Sequence, residues 1–144
     1  MSSEVLALVA ERDPALRQLT GSVLRQAGYD VRECSNALQL KAELYSSPVL
    51  ATENALLVLS ADIAAQCASE LRMLERARAA TPRHPPAYVF VCEFGALKQF
   101  TPPGVSEHEV AAVLEKPFDV DELERVALRC LARKAPGRAQ EWKP

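Results

Sequence analysis

The sequence predicts an α/β domain built on one doubly wound, five-stranded parallel sheet with helices on both faces. Apolar runs of strand length alternate with longer amphipathic segments, which is typical of strands joined by crossover helices. Several of these runs are almost continuously apolar, as expected of strands that are buried on both faces. The chain has 144 residues, of which 49% are apolar and 25% charged, so one core can form without disulfides or a metal.

The first two strand and helix units follow one another directly. Residues 4–10 (EVLALVA) predict the first strand, and Asp13 is placed to cap a helix that has Pro14 in its first turn and ends at Gly28. The short alternating segment 29–33 (YDVRE) predicts the second strand. Asn36 is placed to cap the second helix, which carries apolar residues from 37 to 44.

The remaining units are less regular. Residues 55–59 (ALLVL) predict the third strand, and Asp62 is placed to cap a helix from 63 to about 80. Residues 87–92 predict the fourth strand, but the glycines and prolines in 93–106 predict a fourth helix that is short or irregular. Residues 110–114 predict the fifth strand, and 119–122 resemble a capping box that opens a last helix ending near 133. We therefore expect a domain over 4–133 and a mobile basic tail over 134–144.

Composition argues against several functional classes. The 17 basic and 19 acidic residues nearly balance, and no apolar run approaches the length of a membrane helix, so we expect neither a nucleic-acid partner nor a membrane span. The four cysteines are widely spaced and predict buried thiols rather than a metal site. The acidic start is unlike a secretory signal, so we expect a cytoplasmic protein, and no cofactor is predicted.

In doubly wound sheets, ligands bind beyond the carboxyl ends of the strands, so functional residues are expected after Ala10, Leu59, Val91 and Leu114. Around these points the sequence resembles the receiver domain of bacterial response regulators over residues 4–133. The resemblance lies in residues 6–37, in ALLVLS at 55–60 and in VLEKPFDVDEL at 113–123. Its sharpest part is the Lys116-Pro117-Phe118 motif after the fifth strand.

This resemblance implies the flavodoxin-like receiver fold and a site for phosphorylation of an aspartate. Receiver domains have an acidic pair that binds magnesium, a phosphoacceptor aspartate, a switch hydroxyl and a lysine that neutralises the phosphoryl oxygens. In this sequence the acidic pair falls on Glu11 and Arg12, and the acceptor falls on Ser60. The hydroxyl falls on Cys92, a frequent aromatic position falls on Val113, and only Lys116 is retained. The resemblance therefore predicts a degenerate site that binds no metal.

Two residues of this region admit more than one interpretation. Asp62 is two positions beyond Ser60, so it is either a displaced acceptor or the cap of the third helix. The ammonium of Lys116 either pairs with Glu11, holds an anion together with Arg12, or is solvated in its loop. The Lys116-Pro117 peptide is also a candidate for the cis form.

The function expected from these substitutions is a non-catalytic pseudo-receiver that binds a partner signalling protein, or a second copy of itself, without phosphorylation. By resemblance, its contact surface comprises the fourth helix, fifth strand and fifth helix, with Phe94, Leu97, Phe100, Phe118, Arg125 and Arg129. Core packing is the competing role for the aromatic residues. Two alternative functions stay open: a phospho-receiver with a displaced acceptor (Asp62 or Asp13) and weak magnesium-dependent phosphoryl transfer, and a small-molecule or redox sensor that uses the vacated pocket near Cys92.

Overall fold

Strand-forming runs of apolar residues build the centre of the molecule. The computed structural model describes residues 5–46, 55–79 and 86–132, and the predicted tail over 134–144 lies outside them. The five strands are all parallel, in the order β2-β1-β3-β4-β5. Their bounds are β1 Val5–Ala10, β2 Tyr29–Cys34, β3 Leu56–Ser60, β4 Ala87–Cys92 and β5 Val110–Glu115. The predicted fold class is confirmed.

In the part of the chain that the structure describes, five α-helices cover the two faces of this sheet. They are α1 Pro14–Ala27, α2 Ala37–Tyr45, α3 Ala61–Gln66, α4 Ala68–Ala79 and α5 Val120–Ala132. Apolar side chains of α1 and α5 form a core on one face, and those of α2, α3 and α4 form a core on the other. The described residues contain no helix that is both long enough and apolar enough to cross a membrane.

The predicted caps of the first two helices are present. The Asp13 carboxylate accepts a hydrogen bond from the Ala15 N–H, and the Asn36 side chain accepts one from the Gln39 N–H. Gly28 ends α1 in a left-handed conformation with φ of 113°, which a residue with a side chain adopts at a cost. These local signals are therefore reliable guides to where the helices begin and end.

The helix predicted after the third strand differs from expectation in two ways. It begins at Ala61, so Asp62 lies in its first turn and Ser60 occupies the capping position. It is also divided at Cys67, whose N–H bonds the Ala64 carbonyl three residues back while its buried Sγ contacts the carbonyl of Ala37. The prediction that Asp62 caps a single long helix was therefore wrong.

The segment between β4 and β5 is irregular, as predicted. It contains two short 3-10 turns, Leu97–Gln99 and Glu107–Glu109, in place of an α-helix. Gly104 has φ of 73°, and its backbone packs so closely on α4 that an added Cβ would clash with the carbonyl oxygen of Ala68. The loop thus lies directly on the helix and covers part of the core through the buried Val105.

Candidate functional site

The carboxyl edge of the sheet gathers the five residue positions that the resemblance singled out. Glu11 and Arg12 follow β1, Ser60 ends β3, Cys92 ends β4 and Lys116 follows β5. Parallel pairing places these strand ends side by side, because β1 pairs with β3, β3 with β4 and β4 with β5. The fold therefore brings these five positions to one edge of the sheet, and the side-chain contacts there determine which of them meet.

Lys116 is the centre of one charge cluster. Its Nζ donates to Glu11 Oε2 at 3.3 Å and to Glu93 Oε2 at 3.1 Å. The Glu11 side chain is only 8% exposed, whereas that of Glu93 is 76% exposed. Burial by itself lowers the pKa of Lys116, but the hydrogen bond to Glu93 and the charge of Glu11 outweigh it, and the net pKa is raised. The expected pair with Glu11 is present, and Lys116 is not a solvated loop lysine.

The loop after β1 holds the Glu11 carboxylate in place. The Asp13 N–H donates to Glu11 Oε2 at 3.0 Å, which is the same oxygen that receives the Lys116 ammonium. Arg17, one turn into α1, donates from Nη1 to the carbonyl of Glu11 at 2.9 Å and to that of Arg12 at 3.4 Å. The backbone and α1 thus orient this buried acid toward Lys116.

Arg12 and Asp62 form a second cluster above β3. Arg12 Nε donates to Asp62 Oδ2 at 2.8 Å, and the buried Ser60 Oγ donates to Asp62 Oδ1 at 2.8 Å. Partial burial raises the pKa of Asp62, but the hydrogen bonds from Arg12 and Ser60 prevail, and the pKa lies below its ordinary value. Arg12 and Lys116 are thus bonded to different carboxylates.

A divalent cation does not fit this arrangement of charges. The Glu11 carboxylate already receives an ammonium and a backbone N–H, and the next residue is a guanidinium. The Asp62 carboxylate is occupied on both oxygens by Arg12 and Ser60. Magnesium prefers several unpaired oxygen ligands, and within the described ranges no group of three or more His, Cys, Asp or Glu side chains is arranged to hold a metal.

Cys92 ends β4, at the position that the sequence resemblance assigns to a hydroxyl residue. Its thiol is buried, and this burial raises its pKa, so little thiolate is present at neutral pH. It lines an open depression of about 410 Å³ together with Asp62 and Phe100. The other three cysteines are also buried and form no disulfide, and burial raises the pKa of Cys34 to about 12. The expectation of buried thiols is therefore confirmed.

The six residues predicted for partner binding include both exposed and partly buried side chains. Phe94 and Leu97 are exposed, at 81% and 43%, and Arg125 and Arg129 are exposed on α5. Phe100 packs on the core with its ring centroid 5.2 Å from that of Phe90, and Phe118 packs on the opposite core. The helical spacing from Phe94 to Phe100 is not realised, because Phe94 precedes the first 3-10 turn.

Sequence reasoning missed two residues of the site. Glu93 is the second partner of Lys116, and its position directly after β4 would have suggested it. Arg17 is inside α1, and nothing in its sequence context distinguishes it from an ordinary surface arginine. The contacts that these two residues make appear only once the strand ends and the first turn of α1 are placed together.

The fold has solved relatives, although no protein-family model and no curated protein sequence matches the chain. A signal receiver domain of an HD domain-containing protein from Pseudomonas fluorescens superposes with a TM-score of 0.67 at 18% identity, covering 97% of this chain and 96% of that one. A response regulator receiver domain protein from Bacillus halodurans gives 0.64 at 17% identity, with 89% and 97% covered. One from Clostridium thermocellum gives 0.61 at 17% identity, with 90% and 96% covered.

These similarities agree with the strand order and with the placement of the site at the carboxyl edge of the sheet. At such identities they establish the architecture and not the chemistry of the strand ends. The chain has the fold of response regulator receiver domains.

Proposed function

We propose that this chain is a pseudo-receiver: a non-catalytic module of bacterial signalling that binds a partner protein without phosphorylation of an aspartate. One observation carries the proposal. The groups at the strand ends are paired with one another, Lys116 with Glu11 and Glu93, and Arg12 with Asp62. Phosphorylation of an aspartate needs a free carboxylate nucleophile and cations placed at the transferring oxygens.

The properties of Ser60 support the same function. It is 3% exposed, and its hydroxyl donates to Asp62. The Asp62 carboxylate that accepts this bond has a lowered pKa and is a weak base, so the hydroxyl remains a weak nucleophile. The small pocket bordered by Ser60, Glu11 and Phe118 has a volume of about 10 Å³. That is room for a single water molecule at most and far less than a phosphoryl group requires.

The alternative acceptor Asp62 is exposed enough to meet a small donor, since its side chain is 59% exposed. Its two oxygens, however, accept hydrogen bonds from Arg12 and Ser60. Both bonds withdraw electron density from the Asp62 carboxylate and make it a weaker nucleophile. The redox alternative meets a similar obstacle, because the Cys92 thiol is buried and has a raised pKa. Neither alternative has a specific observation in its favour.

The test for catalysis uses amide NMR and intact-mass measurements on the full chain. We expect no saturable shifts at Ser60, Asp62, Cys92 or Lys116 on titration with magnesium and beryllofluoride. We also expect no added phosphoryl mass after incubation with acetyl phosphate and magnesium. Saturable shifts or a phosphorylated species would overturn the proposal. The double variant Arg12→Asp, Ser60→Asp restores an acidic pair and an acceptor, and we expect it to respond to both reagents.

The test for binding asks whether capture of a partner protein depends on the exposed surface around Phe94 and not on phosphorylation. We expect the same partner to be recovered with and without acetyl phosphate and magnesium. Phe94→Ser is expected to weaken its capture, because the ring of this residue is 81% exposed and available for contact. Leu38→Ser on α2 is the matched control, since Leu38 is similarly exposed, at 77%, in another part of the molecule. Capture that requires acetyl phosphate would contradict the proposal.

A further inference from the structure

An apolar groove lies beside Lys116, on the α1 and α5 face of the sheet. It has a volume of about 470 Å³ and is bordered by the first half of α1, the residues after β4 and the loop between β5 and α5. Its apolar walls are Leu16, Leu19, Phe94 and Phe118. Leu19 is 46% exposed and Phe94 is 81% exposed, so a large apolar area faces solvent. Such an area is commonly a binding surface. We call it the α1 groove.

Charges around the α1 groove select a cationic occupant. Asp13 and Glu93 lie on its rim, and Glu11 lies behind Lys116. Among the described residues that line the groove, Lys116 is the cation, and it is already bonded to Glu11 and Glu93. The carboxylates of Asp13 and Glu93 and the ammonium of Lys116 give this lining a net charge of −1. A segment that combines basic side chains with an apolar ring would complement both the rim and the walls.

The sequence contains such a segment in residues 133–144 (RKAPGRAQEWKP), which lie outside the described residues. It carries four basic residues against the single acid Glu141, and it holds Trp142, the one tryptophan of the chain. We propose that residues 133–144 bind in the α1 groove, with Trp142 against Phe94 and with basic side chains facing Asp13 and Glu93. Aromatic and basic side chains are the ones that contribute most at protein interfaces.

The length of this segment allows it to reach the groove. Helix α5 begins two residues after Phe118 and carries the chain about 20 Å away over its 13 residues. The ten residues from Ala132 to Trp142 span up to about 33 Å when extended, which exceeds that distance. Pro136 and Gly137 form a pair typical of turns, which is what a return along α5 requires.

Docking at this place would cover Phe94 and Phe118, two residues of the surface that we propose for partner binding. A partner would then compete with residues 133–144 for the same apolar area. The inference itself does not depend on the proposed function, because it concerns only the chain and its own groove. Its test is correspondingly independent of any partner.

Trp142 is a direct probe, since with excitation selective for tryptophan over the three tyrosines the fluorescence of the full chain reports on this residue alone. In the native chain we expect blue-shifted emission and protection from acrylamide quenching relative to the chain unfolded in denaturant. Phe94→Ser is expected to lower the ratio of docked to undocked segment about five-fold, as loss of one buried aromatic pair does. Leu38→Ser is the matched control and is expected to leave both signals unchanged. High salt is expected to weaken the protection, because charge attraction contributes to it.

Each other outcome overturns the proposal. Quenching of Trp142 as strong as in the unfolded chain would mean that residues 133–144 do not dock. Protection that persists in Phe94→Ser, with circular dichroism confirming that the variant is folded, would place Trp142 elsewhere. Protection that increases with protein concentration, together with a dimer in sedimentation, would assign the groove to a second copy of the chain instead.

Discussion

Replacing Lys116 by methionine tests the charge cluster most directly. The change keeps much of the apolar stem and removes the ammonium, so Glu11 is left 8% exposed and without its cation. At the observed 3.3 Å separation the attraction between the two charges is about 5 kcal/mol in an effective dielectric of about 20. Lys116 is 21% exposed in the folded chain, so its ammonium is better solvated in the unfolded chain. This loss of solvation on folding offsets part of the attraction.

The loss also has an upper limit, because Glu11 can take up a proton. An ordinary glutamic acid titrates near pH 4.3, so neutralising the stranded carboxylate costs at most about 3.7 kcal/mol at pH 7 and about 1 kcal/mol at pH 5. We therefore expect Lys116→Met to lower the free energy of unfolding by about 2 to 4 kcal/mol at pH 7 and by about 1 kcal/mol or less at pH 5. The sign follows from linkage, because the folded Lys116→Met variant binds a proton that its unfolded chain lacks. The loss of stability relative to the unsubstituted chain therefore becomes smaller as the pH falls.

The assay is urea unfolding followed by circular dichroism at both pH values. Lys98→Met removes an exposed lysine of the first 3-10 turn, and this control is expected to change stability by less than about 0.5 kcal/mol. The double variant Glu11→Gln, Lys116→Met leaves no unpaired buried charge and is expected to recover at least half of the loss, about 1 to 2 kcal/mol at pH 7. A loss of equal size at pH 7 and pH 5, or no loss at pH 7, would refute the reasoning.

Three further predictions concern the fold and the second cluster. Gly104→Ala is expected to destabilise the chain by about 2 to 4 kcal/mol, since its φ is 73° and a Cβ would clash with α4. Gly95 has φ of 86° and open space around it, so Gly95→Ala is expected to lose only about 1 kcal/mol. Equal losses in urea unfolding would contradict the close packing. Tyr29→Phe removes a buried hydrogen bond of 2.8 Å to a carbonyl of α5, and we expect unfolding at a free energy lower by about 1 to 2 kcal/mol. Arg12→Gln should raise the pKa of Asp62 toward 3.8, as followed by carboxyl NMR, because a bond that lowers this pKa is lost. In the unsubstituted chain the lowered pKa of Asp62 stabilises the fold above about pH 4, and this contribution disappears as the pH falls through the lowered value. An unchanged titration of Asp62 in Arg12→Gln would exclude the ion pair in solution.

Local chemistry explains why so much of the architecture was predictable. Caps such as Asp13 and Asn36 act within a few residues, and their hydrogen bonds occur where the sequence places them. The irregular segment after β4 was equally predictable, because glycine and proline restrict the backbone wherever they occur. Asp62 shows the limit of such reasoning. From the sequence alone, the helix after β3 could start near Ser60, Asp62 or Ile63. The end of β3 decides its first residue.

Contacts between distant segments were beyond the sequence. Glu93 and Lys116 are 23 residues apart, and Arg12 and Asp62 are 50 apart, so no pattern along the chain records their meeting. The roles of Phe94 and Phe100 are a further case. They are six residues apart and similar in type, yet one is exposed and the other packs on Phe90.

The sequence by itself determined the alternation of strands and helices and the caps of the first two helices. These follow from residue type and spacing, which act locally. Only the tertiary structure decided that the charged side chains at the strand ends pair with one another and that an apolar groove opens beside them. The physical reason is that ion pairing and burial depend on distances between strand ends, and folding alone sets those distances.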